Sequence, residues 1–438
     1  MTGFFFHPQD SSPPITMIQP IQNNRRVLMI AFHFPPFQAS SGIQRTLKFC
    51  TYLRDYGWEP LILTISPRAY EVTSQNQLNE IPEDVVVERA FGLDTSRHLS
   101  IAGRYFRWMV QPDRWVSWWP AGVWKGMRMI RRYRPAAIFS TSPIATAHMI
   151  GLSLCKRSGL PWIADFRDSM TESDYPRDPM TWKAHRKLEQ ATIRQCRKAV
   201  FTTEPTRQMY AERYPEVPAS RWTVIENGFD EDNFRSAESG LARTPLGQPG
   251  QLTLVHSGIL YPNERDPRPF FAALGTLKRA GEIDRCKLQI ILRATGNDDV
   301  YGPMIAELDI ADIVRLEPTV AYRDALQEML RADGLLLFQA ASCNHQIPAK
   351  IYEYYRSGRP ILGLVDPEGV SARMLADAKV DNIANIADAS DIARAIRSFV
   401  RRVYDGSNSG VGKQFAMKHS RKSRTQELAR LLDQVANT

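Results

Sequence analysis

Short, unbroken apolar runs alternate along this chain with longer segments of helical spacing. The first run, residues 26–32, reads RVLMIAF and is followed by a polar loop and a periodic segment, 46–56, that stops at Gly57. An unbroken apolar run of this length is typical of a strand buried on both faces, whereas the periodic segment predicts an amphipathic helix. Repetition of this strand, loop and helix pattern predicts an α/β fold with doubly wound parallel sheets.

The apolar runs fall into two groups separated by a polar segment, 230–251, which contains Pro and Gly without periodicity. The predicted strands are 26–32, 60–65, 84–89, 136–140, 161–165, 198–202 and 223–225 in the first group, and 252–256, 288–293, 313–316, 335–339 and 360–365 in the second. Helices are predicted between them, one of them capped by Thr206. We therefore expect domains at 25–229 and 251–405 with a cleft between them, a linker at 230–250, and a loosely ordered Pro-rich segment at 1–24.

Length and composition describe an ordinary globular protein. A chain of 438 residues is too long for a single core, and 43% hydrophobic with 24% charged residues is usual for folded proteins. No apolar run approaches the roughly 20 residues that span a bilayer, and the first residues lack the basic and apolar regions of a signal peptide, so we expect a cytoplasmic protein. The five scattered cysteines are expected to be reduced, buried thiols, and they show no metal-ligand spacing.

The net charge of +9 calls for an acidic partner, and the charge is concentrated in residues 97–134. There a single acid, Asp113, faces nine basic residues: Arg97, Arg104, Arg107, Arg114, Lys125, Arg128, Arg131, Arg132 and Arg134. The same stretch contains Trp108, Trp115, Trp118, Trp119 and Trp124. Cationic and aromatic side chains together favour contact with an anionic membrane surface. The alternative is a buried aromatic cluster with a solvated basic rim.

The segment 346–358, QIPAKIYEYYRSG, predicts a helix of about ten residues beginning at Pro348 and ending before Gly358. The free N–H groups of its first turn would form an anion site, and Lys350 and Glu353 share one face. A nucleoside diphosphate at the start of the helix would place its ribose near Glu353. The alternative is a surface helix in which these two charges form a solvated pair.

IPAKIYEYYRSGRPIL resembles the donor-site segment of glycosyltransferase family 4, whose members are retaining enzymes of the GT-B architecture with two Rossmann-like domains. The resemblance implies that Glu353 grips the ribose hydroxyls and that the donor lies along the stretch from His345 to Glu353. That stretch supplies the expected donor-binding residues His345, Gln346, Ile347, Pro348, Lys350 and Glu353. The family often has another glutamate eight positions before Glu353, where His345 stands here, so His345 or Gln346 is expected to hydrogen-bond the transferred sugar.

Two Gly-containing loops also resemble this family. PPFQASSGIQR is similar to the first loop, which approaches the donor diphosphate, and this assigns Gly42 and Arg45 to donor binding. SGILYPNERDPRPFFAAL is similar to the second, with Gly258 at the turn. Because Ile259 occupies the family's first basic position, Arg265 is expected to neutralise the phosphates, with Lys350 and Arg268 as helpers.

Two polar motifs at predicted strand ends, STSP and DFRD, resemble the acceptor side of the family's cleft. They contribute Ser142, Asp165, Arg167 and Asp168, and His33 follows the first strand. Arg167 stands where many members carry a histidine. The alternative is that Arg167 ties the two aspartates together structurally.

The motif ENGFD is similar to the family's marker for the end of the N-terminal domain. Residues 406–438 resemble the GT-B helix that crosses back to that domain.

These features predict a retaining glycosyltransferase of the hexosyltransferase class (EC 2.4), acting in polysaccharide or glycolipid biosynthesis. A nucleoside diphosphate sugar is the expected donor, a saccharide or lipid-linked saccharide the acceptor, and no metal is expected. Arg265 and Lys350 are the expected catalytic cations, while His33, Asp165 and Asp168 are candidates for a base, although the leaving phosphate can itself accept the proton.

The rival functions are a nucleotide-sugar epimerase on the same plan and a non-catalytic protein that binds nucleic acid or an anionic surface. Because no DNA- or RNA-reading motif is present, nucleic acid is not an expected partner.

Overall fold

The fold is described from a computed structural model, which covers residues 25–38, 42–74, 78–242 and 244–437. The predicted N-terminal segment, 1–24, lies outside the described residues, as do residues 39–41 of the first Gly-containing loop. The remaining chain forms one seven-stranded and one six-stranded parallel sheet with helices on both faces. The predicted α/β architecture with two doubly wound parallel sheets is confirmed.

The first sheet contains β1 (Arg26–Ile30), β2 (Glu59–Ile65), β3 (Val86–Ala90), β4 (Ala137–Thr141), β5 (Trp162–Phe166), β6 (Lys198–Phe201) and β7 (Trp222–Val224). Its helices are α1 (Ile43–Tyr52), α2 (Thr95–His98), α3 (Trp118–Tyr133), α4 (Ala145–Ser158), α5 (Pro179–Gln195) and α6 (Glu204–Arg213). The strand order is β3-β2-β1-β4-β5-β6-β7. From β1 the chain adds β2 and β3 on one side and then β4 to β7 on the other. The order of strand addition therefore reverses between β1 and β4, and parallel sheets bind ligands at such a point.

The second sheet contains β8 (Leu252–Ser257), β9 (Leu288–Arg293), β10 (Val314–Glu317), β11 (Gly334–Gln339), β12 (Ile361–Val365) and β13 (Ile383–Asn385) in the order β10-β9-β8-β11-β12-β13. The remaining helices are α7 (Glu231–Glu238), α8 (Arg268–Arg279), α9 (Asp298–Glu307), α10 (Tyr322–Arg331), α11 (Lys350–Ser357), α12 (Val370–Asp377), α13 (Ala389–Tyr404), α14 (Lys413–Met417) and α15 (Arg421–Ala436). The corresponding reversal lies between β8 and β11.

The central strands explain why apolar runs predicted the sheets well. In β1, Val27, Leu28, Met29 and Ile30 are fully buried, because strands pair with β1 on both sides and helices cover both faces. Such a strand has no solvent-facing positions, so its sequence shows no alternation.

Several predicted boundaries were wrong for local reasons. Thr203, not Thr206, caps α6, since its side chain accepts a hydrogen bond from the Thr206 amide and Pro205 lies in the first turn. The predicted linker is not irregular throughout, because Asp230 caps α7, which packs against α10. The short strand β13 was not predicted.

The two parts of the chain are joined where it crosses twice between them. Phe229 and Ser420 form a parallel bridge, and the Phe229 amide donates to the His419 carbonyl at 3.2 Å. Gly228 is required there, because a Cβ atom would lie 2.4 Å from that carbonyl oxygen. After the second crossing, α15 packs against α1, and its Leu428 and Leu432 enter the core beneath β1.

No helix among the described residues combines the length and apolar character needed to cross a membrane. Four cysteines are buried as predicted, but Cys286 is exposed in the turn before β9.

Candidate active site

The predicted donor and acceptor residues lie at the carboxyl ends of strands, at the reversal points of the two sheets. His33 and Ser142 follow β1 and β4, whereas Gly258 follows β8 and the loop to α11 follows β11. The two edges meet directly, because Thr203 Oγ1 donates to the His345 carbonyl at 2.7 Å. The site is therefore a cleft with one wall from each sheet.

Lys350 provides a half-buried cation on the donor wall. A Cβ atom on Gly258 would lie 2.2 Å from Lys350 Nζ, and Gly258 has a φ of +125°, so only glycine leaves space for the ammonium group. Burial, and then the charge of Arg265, lower the pKa of Lys350 to about 8, while the charge of Glu353 opposes them. No carboxylate within the described chain forms an ion pair with Nζ. The site therefore holds a desolvated positive charge that is suited to an anion.

Arg265 also lies on this wall. Its Nη1 donates to the Ile259 carbonyl at 3.2 Å, and its guanidinium lies 5.6 Å from the centre of the Tyr261 ring. Arg268, the expected helper, is instead an exposed residue paired with Asp266 at 2.6 Å. Arg265 and Lys350 are thus the two cations that the structure brings together.

Glu353 lies one turn along α11 from Lys350. Its Oε1 accepts a hydrogen bond of 2.7 Å from the hydroxyl of Tyr322, at the start of α10. Burial raises the pKa of Glu353, while the Tyr322 hydrogen bond, Lys350 and Arg421 oppose that rise. Glu353 is therefore not a solvated partner of Lys350, and Tyr322 is a neighbour that the sequence did not indicate.

The loop before α11 differs from the prediction. The helix contains eight residues and begins at Lys350, so Pro348 precedes it by two residues. Ile347 packs against the core under α11 rather than facing the cleft. His345 turns toward the other wall, where its Nε2 lies 3.1 Å from Glu172 Oε1, and Gln346 Nε2 lies 3.4 Å from the same imidazole nitrogen. Glu172 and Thr203 were not predicted because they act across domains.

Arg45 and Asp165 have a different role from the predicted one. The guanidinium binds both carboxylate oxygens, with Nε at 3.1 Å and Nη2 at 2.8 Å, and both side chains are almost fully buried. Thr141 donates to the same carboxylate at 2.8 Å, and Arg45 also donates to the Ile225 carbonyl. The pair lies beneath the cleft, so Arg45 does not face a phosphate and Asp165 does not face an acceptor.

Arg167 does not tie the two aspartates together, since Asp165 is paired with Arg45. Its Nη1 lies 3.4 Å from His33 Nδ1 and 3.4 Å from the Ser142 carbonyl, and its amide donates to Ser142 Oγ at 3.0 Å. A Cβ atom on Gly42 would lie 2.0 Å from Nη1, so Gly42 leaves space for this guanidinium. Burial, and then the charge of Arg167, lower the pKa of His33 to about 3, so its imidazole is neutral. His33, Ser142, Arg167 and Gly42 therefore form one cluster.

A cavity of about 390 Å³ lies between the two walls beside this cluster. Ser142, Asp168 and Glu172 line it from one domain, and Glu264, His345 and Gln346 from the other. Asp168 is exposed in this cavity, in contrast to Asp165. Among the described residues, no three His, Cys, Asp or Glu side chains are grouped to hold a metal ion.

The basic, Trp-rich region does not form one surface. Trp118 is fully buried at the start of α3, whereas Ile101, Phe106 and Trp108 are 84%, 70% and 70% exposed on the preceding loop. The α3 helix then runs to the opposite edge, where the Tyr133 carbonyl accepts from Arg26 at the start of β1. Some tryptophans of this region therefore enter the core, whereas others reach solvent, and contact with a membrane stays a prediction.

Part of the chain matches a known protein family. Residues 44–233 match the family model described as Glycosyltransferase Family 4, which confirms the resemblance noted in the sequence. A search of curated proteins gave no match.

The chain shares the GT-B fold of several solved structures. HepE of Anabaena, solved with UDP and glucose, is 14% identical with a TM-score of 0.63, covering 94% of this chain and 100% of that one. WaaG, a glycosyltransferase involved in lipopolysaccharide biosynthesis, is 11% identical with a TM-score of 0.58, covering 93% and 99%. Sucrose-phosphate synthase from Thermosynechococcus elongatus is 12% identical with a TM-score of 0.60, covering 94% and 99%.

Proposed function

We propose that this chain, a GT-B protein whose N-terminal part matches glycosyltransferase family 4, transfers a sugar from a nucleoside diphosphate sugar to an acceptor hydroxyl with retention of configuration. The observation that carries the proposal is the desolvated Lys350 ammonium, which lies against Gly258 at the reversal point of the second sheet. A half-buried cation that forms no ion pair with any described carboxylate favours an anionic ligand.

In this proposal the diphosphate binds between Lys350 and Arg265, with the Glu353 carboxylate accepting hydrogen bonds from the ribose hydroxyls. Tyr322 holds that carboxylate through its 2.7 Å hydrogen bond. As the sugar–phosphate bond breaks, negative charge grows on the leaving diphosphate, and the two fixed cations stabilise it more than they stabilise the intact donor. The bond from the anomeric carbon passes to the acceptor oxygen, and the acceptor proton passes to the leaving phosphate.

The acceptor occupies the interdomain cavity beside Arg167 and Asp168. Asp165 is buried, whereas Asp168 is exposed in the cavity, where its carboxylate would accept a hydrogen bond from the acceptor hydroxyl. Neutral His33 orients Arg167, whose Nε is buried without a hydrogen-bond partner among the described residues. We assign the acceptor to the saccharides or lipid-linked saccharides of polysaccharide or glycolipid biosynthesis, and the reaction to the hexosyltransferase class.

The exposed loop before α3 is suited to contact with a membrane. Phe106 and Trp108 stack with ring centres 6.2 Å apart, and both are exposed beside Arg104 and Arg107. Further along the same loop, the carbonyl oxygen of Pro112 lies 2.9 Å from His185 Nε2, and His185 lines the acceptor cavity. Aromatic side chains with neighbouring arginines suit an anionic leaflet, so the loop would hold the cleft at a cytoplasmic membrane face.

The donor site is tested by thermal unfolding with a panel of nucleoside diphosphates and nucleotide sugars. A ligand at 100 times its dissociation constant should stabilise the protein by about 2.7 kcal/mol. We expect one nucleotide to raise the melting temperature of wild type and to do so clearly less in Glu353→Ala. If nothing in the panel binds, the donor assignment is wrong.

Transfer is then distinguished from epimerisation by following the bound nucleotide sugar with and without acceptor saccharides. A transferase needs the acceptor to release nucleoside diphosphate at full rate, whereas an epimerase converts the donor alone.

Membrane contact is tested separately by sedimentation with phosphatidylglycerol and phosphatidylcholine vesicles. Ile101→Ser/Phe106→Ser/Trp108→Ser should lose binding to the anionic vesicles. The control, Trp124→Ser/Arg128→Ser, removes the cation–π pair on α3 and should retain it. Equal loss in both variants would contradict the assignment to the loop.

A further inference from the structure

A second cavity lies at the end of the first sheet opposite the cleft. Its volume is about 840 Å³, and it opens where β5 and β6 begin, at Trp162 and Lys198. Residues 434–436 at the end of α15 form part of its wall. The acceptor residues follow the other ends of these strands, so the whole length of the sheet separates this cavity from the cleft. Its volume is within the range of small-molecule sites.

The described lining of this cavity carries charge of one sign. Four cations line it, Arg194, Arg197, Lys198 and Arg221, and none of the described lining residues is an aspartate or glutamate. A concave surface with uniform positive charge raises the local concentration of anions. We propose that this cavity binds a phosphate-bearing small molecule, at a site separate from the donor cleft.

The carbonyl groups at the end of α5 explain only part of the positive charge in this cavity. The α5 helix ends here, and its exposed carbonyls favour a nearby cation. Arg221 already meets that need, since its Nη2 donates to the Ile193 carbonyl at 2.6 Å and also to the Cys196 carbonyl. The side chains of Arg194 and Arg197 are exposed and form no ion pair with any described carboxylate. These two guanidinium groups therefore remain available to a ligand.

The other two cations are held in place before any ligand arrives. Lys198 Nζ donates to the Ser220 carbonyl at 2.6 Å, and Arg221 is fixed by the end of α5. Two cations held in place and two exposed arginines suit a compact anion with several oxygens, because a guanidinium group can bind two phosphate oxygens at once.

The position of the cavity predicts what binding does to the protein. Its ligand would contact both the start of the sheet and the end of α15. Because α15 begins at the interdomain crossing, at Ser420, a bound anion would hold this helix to the first domain. Binding should therefore raise the temperature at which α15 separates from α1.

Inorganic pyrophosphate is the probe, measured by calorimetric titration at physiological salt. All proteins in the comparison carry Lys350→Met, so that the donor cleft contributes little to binding. Arg194→Glu/Arg197→Glu should weaken pyrophosphate binding at least tenfold. The matched control, Arg279→Glu/Arg401→Glu, changes the net charge equally at exposed positions of the second domain and should weaken it less than twofold.

Equal loss in the two double variants would show that net charge alone attracts the probe, and it would overturn the proposal, as would unchanged binding in the cavity variant. If the glutamate variant does not fold, Arg194→Gln/Arg197→Gln takes its place with the same expected direction.

Sedimentation with phosphatidylglycerol vesicles separates a soluble ligand from a lipid headgroup. The cavity variant should bind vesicles as the control does. Loss of vesicle binding with unchanged pyrophosphate binding would overturn the assignment to a soluble anion.

Discussion

Glu172 Oε1 and His345 Nε2 lie 3.1 Å apart across the cleft, so a carboxylate of the first domain holds an imidazole of the second. The carbonyl of His345 is also bound by Thr203. The loop that leads into the donor helix α11 is therefore attached to the opposite domain at two points. Any opening of the cleft would have to break both contacts.

The ion pair predicts a pH window for stability. Its hydrogen bond raises the pKa of His345 above 6.5 and lowers that of Glu172 below 4.5. The contribution of Glu172 is present above pH 4.5 and is lost as the pH falls through its lowered pKa. The contribution of His345 is present below pH 6.5 and is lost as the pH rises through its raised pKa. We expect Glu172→Gln to cost about 1 kcal/mol or less near pH 5.5, and less at pH 9, by urea unfolding.

The control for this measurement is Glu264→Gln, which removes another carboxylate from the same cavity. It should show no such pH dependence. A Glu172→Gln effect that is the same at both pH values would argue against the ion pair.

Removing the Lys350 ammonium should stabilise the free protein while it weakens donor binding. The pKa of Lys350 is lowered from 10.5 to about 8, so the folded state disfavours the charged form. We expect Lys350→Met to raise the free energy of unfolding by about 1 to 3 kcal/mol at neutral pH. The difference from wild type should shrink as the pH rises from about 8 toward 10.5, because wild type then loses the buried charge.

Urea unfolding across this pH range measures the first effect, and calorimetric titration with the identified nucleotide measures the second. Lys183→Met, at an exposed lysine on α5, is the control and should change stability by no more than about 0.5 kcal/mol. Destabilisation by Lys350→Met would contradict the view that this charge is unpaired.

Gly258→Ala should damage the donor wall specifically. The residue has a φ of +125°, which an alanine adopts only under strain, and the new Cβ would displace Lys350 Nζ. We expect a loss of about 1 to 3 kcal/mol in stability together with weaker nucleotide binding. Gly412→Ala is the matched control, since its Cβ would meet no atom within 4 Å and its φ is −62°. Thermal unfolding with and without nucleotide distinguishes the two variants.

The buried Arg45–Asp165 pair predicts a structural loss rather than a catalytic one. Asp165→Asn leaves the Arg45 charge buried and uncompensated, which should cost about 3 to 5 kcal/mol. Arg45→Met/Asp165→Leu removes both charges and should cost less than Asp165→Asn alone. A double-mutant cycle by urea unfolding measures the coupling. A stable Asp165→Asn protein that binds donor but is inactive would instead restore Asp165 to the catalytic residues.

Local patterns predicted the parts of this fold that depend on local physics. The strand β1 was recognisable because every side chain in it is buried, and the α/β alternation followed from repeated units of the same kind. The helix α7 was not predicted, because only Phe234 and Ala237 of its eight residues are buried. The helix that α7 packs against, α10, lies far along the chain. The apolar pattern of α7 is too sparse to distinguish from a loop.

In the candidate site, too, local sequence motifs were recognisable, whereas contacts between distant residues were not. Lys350, Glu353 and Gly258 were recognised from short motifs, and their functional roles stay predictions. The partners of Arg45 and His345 were not foreseeable, because Arg45 binds a residue 120 positions away and His345 meets Glu172 across two domains. Motifs indicate which residue types occupy a site, whereas pairing among them depends on tertiary structure.

The position of α15 determines the order in which the two domains can complete their cores during synthesis. Its Leu428, Leu431 and Leu432 belong to the same core as Val27, Met29 and Leu47 of the first domain. During synthesis the second domain emerges from the ribosome complete, whereas the first must wait with an uncovered apolar face until residues 421–436 have been made. The first domain is thus begun first and finished last, and a ribosome stalled within the second domain would carry a nascent chain that chaperones recognise.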